Sequence, residues 1–229
     1  MNHALVVYDT ETASLKQGVI EFAAVTYHNQ EVYETRLLGN PGCPIDPYAA
    51  KVHGYYDSDV KDLPAMDGLL KTWWQDLKET IGEDTEIILC GHNTSFDYRM
   101  CKPHIPLPDN LQLCTLTASR QLWPEAPNHK LSTMISFLKL NEDREFHTAL
   151  DDVKATIDLL QCIQKATGKH YLDIAQEQSV PKVLDKVSFG KYKGKRFSTL
   201  PMDYLQYMLT LDLDKHVKHT MTQELARRG

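Results

Sequence analysis

The chain has 229 residues, 42% of them hydrophobic, which excludes wholesale disorder and fits one good-sized domain with room for a small appendage. Its net charge of −6 excludes a generic nucleic-acid coat protein, although bound cations or local basic patches can still bring an acidic chain to phosphate. Five cysteines (Cys43, Cys90, Cys101, Cys114 and Cys162), odd in number and without a C-x-x-C pair, argue against a zinc module or a disulfide framework. No apolar run is long enough to span a bilayer, and Met-Asn-His is not the basic start of a signal peptide, so the expected setting is a reducing cytoplasm with no membrane partner.

Ala4 to Tyr8 is apolar and Val-rich and predicts a buried strand. Val19 to Tyr27 and Val32 to Leu38 predict two more, joined through Asn29 as a hairpin. From Asp46 to Trp74 the pattern is helical, with Pro64 opening the helix that carries Leu69, Leu70, Trp73 and Trp74. Glu86 to Cys90 predicts a fourth strand, with a helix starting near Thr94. Leu111 to Leu116 predicts a short strand running into a helix, and Leu131 to Leu140 an amphipathic helix. The clearest helix spans Thr148 to about Thr167, with Gly168 as its stop.

Strands first, then strands mixed with helices, give an α/β domain with a mixed sheet over residues 1–168. Residues 169–185 are polar and read as a linker. Beyond them the charge inverts: residues 182–229 hold ten Lys and Arg against five Asp and Glu, whereas residues 1–181 hold 15 against 26. Residues 186–229 therefore read as a small basic C-terminal module.

Asp9 and Glu11 end the first strand, and positions two apart on a strand face the same way. Neighbouring carboxylates repel, and a divalent ion between them is the simplest remedy, with oxygen ligands suiting Mg²⁺ or Mn²⁺. An exposed strand end would carry the same pair. Asp97, in Gly91-His92-Asn93-Thr94-Ser95-Phe96-Asp97, follows the fourth strand, where sites of open α/β sheets collect. It could equally serve the dipole of the helix it opens. Thr148-x-x-Asp151 has the spacing of a capping box, which puts Asp152 in the first turns and His147 just outside the helix. That placement suits a mobile general base, and it also suits an ordinary turn histidine.

The three motifs in order, Asp9-Thr-Glu11, His92-Asn93-x-x-Phe96-Asp97 and His147-x-x-x-x-Asp152, resemble those of the DEDDh exonucleases of the ribonuclease H-like superfamily. The resemblance covers about residues 4–168. It implies a ribonuclease H-like mixed sheet flanked by helices. It also implies two divalent ions, Mg or Mn, held by Asp9, Glu11, Asp97 and Asp152, with His147 as general base. The activity implied is 3′→5′ hydrolysis of terminal phosphodiesters with release of nucleoside 5′-monophosphates. Val52-His53-Gly54 is similar to an element that meets the terminal nucleotide in this family. Thr10, Thr12, Ala13, His53, Asn93 and Phe96 are then the expected substrate contacts, while His92 and Asn93 chiefly order the site. The usual Thr-Gly after the glutamate is replaced here by Ala13-Ser14.

In the C-terminal module, Phe189-Gly-Lys-Tyr-Lys-Gly-Lys-Arg196 interleaves aromatics with Lys191, Lys193, Lys195 and Arg196. Such a segment can hold phosphate and stack a base, or form a tight hairpin with a solvated basic face and its rings turned inward. A similar segment ends the exonuclease X-like deoxyribonucleases of the family. The resulting expectation is a DNA exonuclease of repair or recombination, with DNA preferred over RNA. Its rivals are an exoribonuclease sharing every catalytic residue and a catalytically silent nucleic-acid-binding module.

Overall fold

The computed structural model describes residues 2–140, 148–211, 213 and 215–229, which form two compact units divided between Gln178 and Ser179. In the first unit, strands β1 (His3–Thr12), β2 (Val19–His28), β3 (Glu31–Leu38), β4 (Glu86–Gly91) and β5 (Gln112–Cys114) make one sheet in the order β3-β2-β1-β4-β5. The first three are antiparallel neighbours, and β4 and β5 run parallel to β1. The hairpin between β2 and β3 turns on Asn29 and Gln30, both with positive φ (48° and 69°), the twist that tight hairpins favour. Parallel strands need crossovers. Helices α1 (Pro47–His53), α2 (Asp57–Val60) and α3 (Met66–Ile81) connect β3 to β4, and α4 (Thr94–Cys101) connects β4 to β5.

Strand alternation sorts the core into two layers. Leu5, Val7, Ala23, Val25, Ile88 and Cys90 face helices α5 (Thr115–Leu122), α6 (Leu131–Phe137), α7 (Ala149–Thr167) and α8 (Tyr171–Ser179). Ala4, Val6, Tyr8, Phe22, Ala24, Ile87 and Leu89 face α3 and α4. Helix α3 buries Met66, Leu70, Trp73, Leu77 and Ile81, a stripe at helical spacing. Helix α7 is capped as its sequence predicts: the Thr148 hydroxyl accepts from the Asp151 N–H at 3.2 Å, and Gly168 closes the far end in the left-handed conformation.

Three boundaries differ from the sequence reading. Helix α3 begins at Met66 because Pro64 is engaged elsewhere, its carbonyl accepting from the Asn40 N–H at 2.9 Å. Helix α6 stops at Phe137, since Lys139 takes a left-handed φ of 54°. The linker expected over 169–185 is half helix. Within its polar sequence α8 buries Ile174 and Ala175 against the α7 layer, and the Gln178 side-chain amide bonds both the N–H and the C=O of Cys114 on β5. The first compact unit thus extends ten residues past Gly168.

The second unit gathers Val187, Phe197, Leu200, Leu205, Met208, Val217 and Met221 around α9 (Met202–Leu209) and α10 (Lys215–Arg228). A tight knuckle turns at Gly190 and Gly194, both with positive φ, and closes through Val187 N–H to Lys195 C=O and Gly194 N–H to Val187 C=O. The Arg228 guanidinium pins the turn after it by donating to the carbonyls of Phe197, Ser198 and Leu200. Phe197 is 2% exposed, and Tyr192 packs edge-on against Tyr204 at 4.6 Å. The rings therefore turn inward, and Lys191, Lys193, Lys195 and Arg196 are left exposed. Among the described residues, no helix is long and apolar enough to cross a membrane.

The loop after β1 folds back sharply, Ala13 N–H to Gly18 C=O at 2.6 Å, and Gly18 sits at φ 81°. A Cβ there would lie 2.5 Å from Cys43 Sγ and 2.9 Å from Ala13 Cβ. Gly18→Ala is expected to cost about 1 kcal/mol or more and to lower the thermal midpoint by at least ~2 °C in a denaturation scan.

Candidate active site

Asp9 and Glu11 continue the Leu5–Val7 face of β1 and so point toward α7, where Asp152 lies one turn in from the cap. Carboxylate oxygens of Asp9, Glu11 and Asp152 come within 4.8 Å of one another. That donor set, hard and anionic, fits a divalent ion with oxygen preference. Asp97 arrives from the other layer on α4. It is 3% exposed, and one of its oxygens accepts from both the N–H (3.1 Å) and the hydroxyl (2.7 Å) of Thr10. Thr10 is thus the strut that ties the Asp97 carboxylate to β1 between Asp9 and Glu11.

The electrostatics of this cluster are unfavourable by themselves. Burial first, then the charges of Asp97, Asp152, Glu11 and Glu21, hold the Asp9 carboxyl well above the usual range. Burial, with Asp152, Glu21 and Asp97, pushes Glu11 up to about 8. Burial raises Asp97 to about 7 against the opposing hydrogen bonds from Thr10. Like charges gathered out of water are what a divalent cation neutralises.

The surrounding residues order this centre. His92 bridges Thr115 Oγ1 (2.9 Å) and the His129 carbonyl (2.8 Å), and burial lowers its pKa, which fits a neutral structural ring. Asn93 starts α4 from a left-handed φ of 80° and makes no side-chain cap bond. Phe96 packs beside the α3 layer with the Arg99 guanidinium over its ring at 5.5 Å. Ala13 is buried, and its N–H and C=O are engaged by Gly18 and Asp46, whereas the Thr12 hydroxyl donates to Ser14 C=O. His53, which ends α1, is buried rather than on the surface. Its Nδ1 accepts from the Tyr55 N–H at 3.1 Å, so Nε2 carries the proton; burial lowers the ring's pKa, against a hydrogen bond to the Thr12 backbone that raises it. His147 lies outside the described residues.

A cavity of about 480 Å³ opens from Asp9 and Asp152 and is lined on its other side by His92, Arg120, His129 and Lys130. The sequence reading passed over Arg120 and Lys130. Arg120 lies in the last turn of α5 and Lys130 is the N-cap residue of α6, and neither carries a motif of its own. It also passed over Glu21, a lone charge inside the apolar Val-Ile-Glu-Phe-Ala-Ala-Val strand, which is fully buried directly opposite Glu11.

The model of the exonuclease family RNase_T matches residues 6–160, and the chain belongs to that family as a DnaQ-like 3′→5′ exonuclease of the DEDDh type. It is 29% identical over 199 residues to exodeoxyribonuclease 10 of Escherichia coli K12, covering 84% of this chain and 83% of that one. It is 32% identical over 164 residues to the PolC-type DNA polymerase III of Bacillus cereus, covering 68% of this chain but 11% of the polymerase. Among solved structures, exonuclease X in complex with 5′-overhanging duplex DNA superposes with a TM-score of 0.61 at 25% identity, covering 77% of this chain and 99% of that one. The nuclease domain of 3′hExo, a DEDDh member bound to rAMP, shares the fold at a TM-score of 0.55 and 16% identity, over 75% of this chain and 95% of that domain.

The raised carboxyls give a signed expectation for the metal-free protein. Because Glu11 and Asp97 bind protons more tightly folded than unfolded, their contribution is fullest below the ordinary carboxylate range, about pH 4, and is lost as pH rises toward about 8. The thermal midpoint measured in chelator should therefore decline from about pH 5 to about pH 8, and added Mg²⁺ or Mn²⁺ should remove that decline. Asp9→Asn should raise the chelator midpoint at pH 8.

Proposed function

We propose that this protein removes nucleotides from the 3′ ends of DNA, in repair or recombination rather than as a fixed polymerase subunit. The observation that carries the reading is the gathering of Asp9, Glu11 and Asp152 on one side of β1, with Asp97 strapped to the intervening Thr10. The preference for DNA is supported by similarity along most of the chain to an exodeoxyribonuclease, and by the duplex DNA held by the structural neighbour of matching extent.

In this reading Asp9, Glu11, Asp97 and Asp152 hold two divalent ions, Mg or Mn, which when bound supply positive charge to the attacking and leaving oxygens of the phosphoryl group. His147 takes a proton from the attacking water. A new O–P bond forms, the bond from phosphorus to the O3′ of the penultimate nucleotide breaks with that oxygen taking up a proton from solvent, and a nucleoside 5′-monophosphate leaves. The Thr10 strut holds Asp97 in register with β1 throughout. His53 presents its Nε2–H edge to the terminal nucleotide, beside the Thr12–Ala13 turn, with Asn93 and Phe96 bordering the same site. Arg120 and Lys130 meet strand phosphate along the cavity wall. Lys191, Lys193, Lys195 and Arg196 form an exposed ridge that contacts the DNA backbone, without the base stacking that inward-turned rings preclude.

A time course on end-labelled single- and double-stranded DNA and RNA, with Mg²⁺, Mn²⁺ or chelator, tests substrate, direction and metal need together. Faster hydrolysis of RNA than of matched DNA would transfer the reading to an exoribonuclease. Asp9→Ala and His147→Ala should each lower kcat by about 10²-fold or more, and unchanged activity in either would remove the mechanism. Replacing Lys191, Lys193, Lys195 and Arg196 together by Ala should flatten the slope of log affinity against log salt by about 0.7 to 0.9 for each phosphate that these side chains neutralise.

A further inference from the structure

Glu21 is a carboxylate that the hydrolysis does not use, placed where a free charge is costly. It is fully buried, the third residue of β2. Three donors from separate parts of the chain close around it. On β3, Arg36 Nε donates to Oε1 at 2.5 Å. After α1, the Tyr55 hydroxyl donates to Oε2 at 3.1 Å, and Arg36 donates to that same hydroxyl at 3.2 Å. At the start of α7, the Ala149 N–H donates to Oε2 at 3.3 Å.

Two of these partners lead straight into the active site. Ala149 is the first residue of α7, and its N–H is one of those a helix cannot satisfy internally. A carboxylate there also meets the positive end of the helix dipole. His147 is two residues before it in the chain, and Asp152 is three residues after. The other partner, Tyr55, stacks its ring on His53 at 5.5 Å and gives its N–H to His53 Nδ1, so it sets both the tilt and the tautomer of that imidazole. Arg36, half exposed, balances the charge, holds Oε1 directly and supports the Tyr55 hydroxyl that meets Oε2.

We infer that Glu21 is a positioning residue: one buried carboxylate that fixes the start of α7 and the Tyr55–His53 pair against the same strand, so that the reacting groups and the terminal-nucleotide pocket hold a common register. This rests on the roles proposed for His147, Asp152 and His53. Its chemistry is that of an acceptor held in place, and it neither touches substrate nor transfers a proton. A residue that aligns groups already bound acts on the turnover step more than on strand affinity, and misplacement by about 1 Å costs about 10²-fold.

The test uses the full chain and saturating Mg²⁺ on a labelled DNA strand. Glu21→Ala should lower kcat by about 10²-fold while KM changes less than about 3-fold. Glu21→Gln can keep one oxygen for Ala149 and Tyr55 while losing the charge and the acceptor for Arg36, so it should recover most of that kcat. Tyr55→Phe removes one donor and should fall between them, with a larger share of its effect in KM through His53. Thermal midpoints and folded fraction are recorded for each, and rates are normalised to folded protein. Wild-type kcat in folded Glu21→Ala would overturn the inference, as would a Gln variant no better than the Ala one. If Glu21→Ala does not fold, Tyr55→Phe and Glu21→Gln still decide: wild-type kcat and KM in the folded former, or a kcat about 10²-fold down per folded molecule in the latter, overturns it. Failure of the underlying mechanism is seen separately, as activity retained by His147→Ala.

Discussion

Negative charge packed out of water at the end of β1 is the constraint that the rest of this structure answers. Asp9, Glu11, Asp97 and Asp152 come from three different elements, and Glu21 adds a fifth carboxylate, fully buried, one strand away. Left alone, such a group would spread apart or take up protons. It does neither freely because each member stands on rigid backbone: β1 is flanked on both sides by strands, α7 is packed along its length against the sheet, and α4 is tied to β1 through Thr10. The fold thus holds repulsion in place until cations relieve it, which makes binding of metal a contribution to stability as well as to chemistry.

The same constraint explains how the two faces of the sheet divide their tasks. The α3 side is apolar from Met66 to Ile81 and makes a plain core. The α7 side is apolar only as far as Val7; beyond it the same alternation brings Asp9 and Glu11 to the surface that Asp152 meets. A single period of two therefore generates both the buried layer and the acidic end of it.

How much was legible followed from how local each signal is. That Asp9 and Glu11 share a face needed only the alternation of one strand, and that Asp152 sits in the first turns of α7 only the capping pattern at Thr148 and Asp151; that they form one site came from the order of the three motifs. The hairpin, the capped α7 and the short strand before α5 were likewise local. Asp97 was legible as a motif but not as a geometry: its partner, Thr10, lies 87 positions earlier, and no spacing rule reaches that far. Residues 169–185 misled because burial of α8 depends on two side chains, Ile174 and Ala175, and composition averages them away. Glu21 was overlooked for the opposite reason. A charge within an apolar run reads as an interruption until its partners Arg36, Tyr55 and Ala149 are seen converging on it.

The clasp between Gln178 and Cys114 bears on a different matter. β5 is three residues long and forms one open edge of the sheet, where unpaired N–H and C=O groups invite a strand from another molecule. The Gln178 amide presents a donor and an acceptor at the spacing of a peptide group and occupies both backbone groups of Cys114. One side chain from a helix thereby stands in for a neighbouring strand. It gives this edge a chemical stopper, so that the enzyme's sheet ends within its own chain rather than at the next copy of itself.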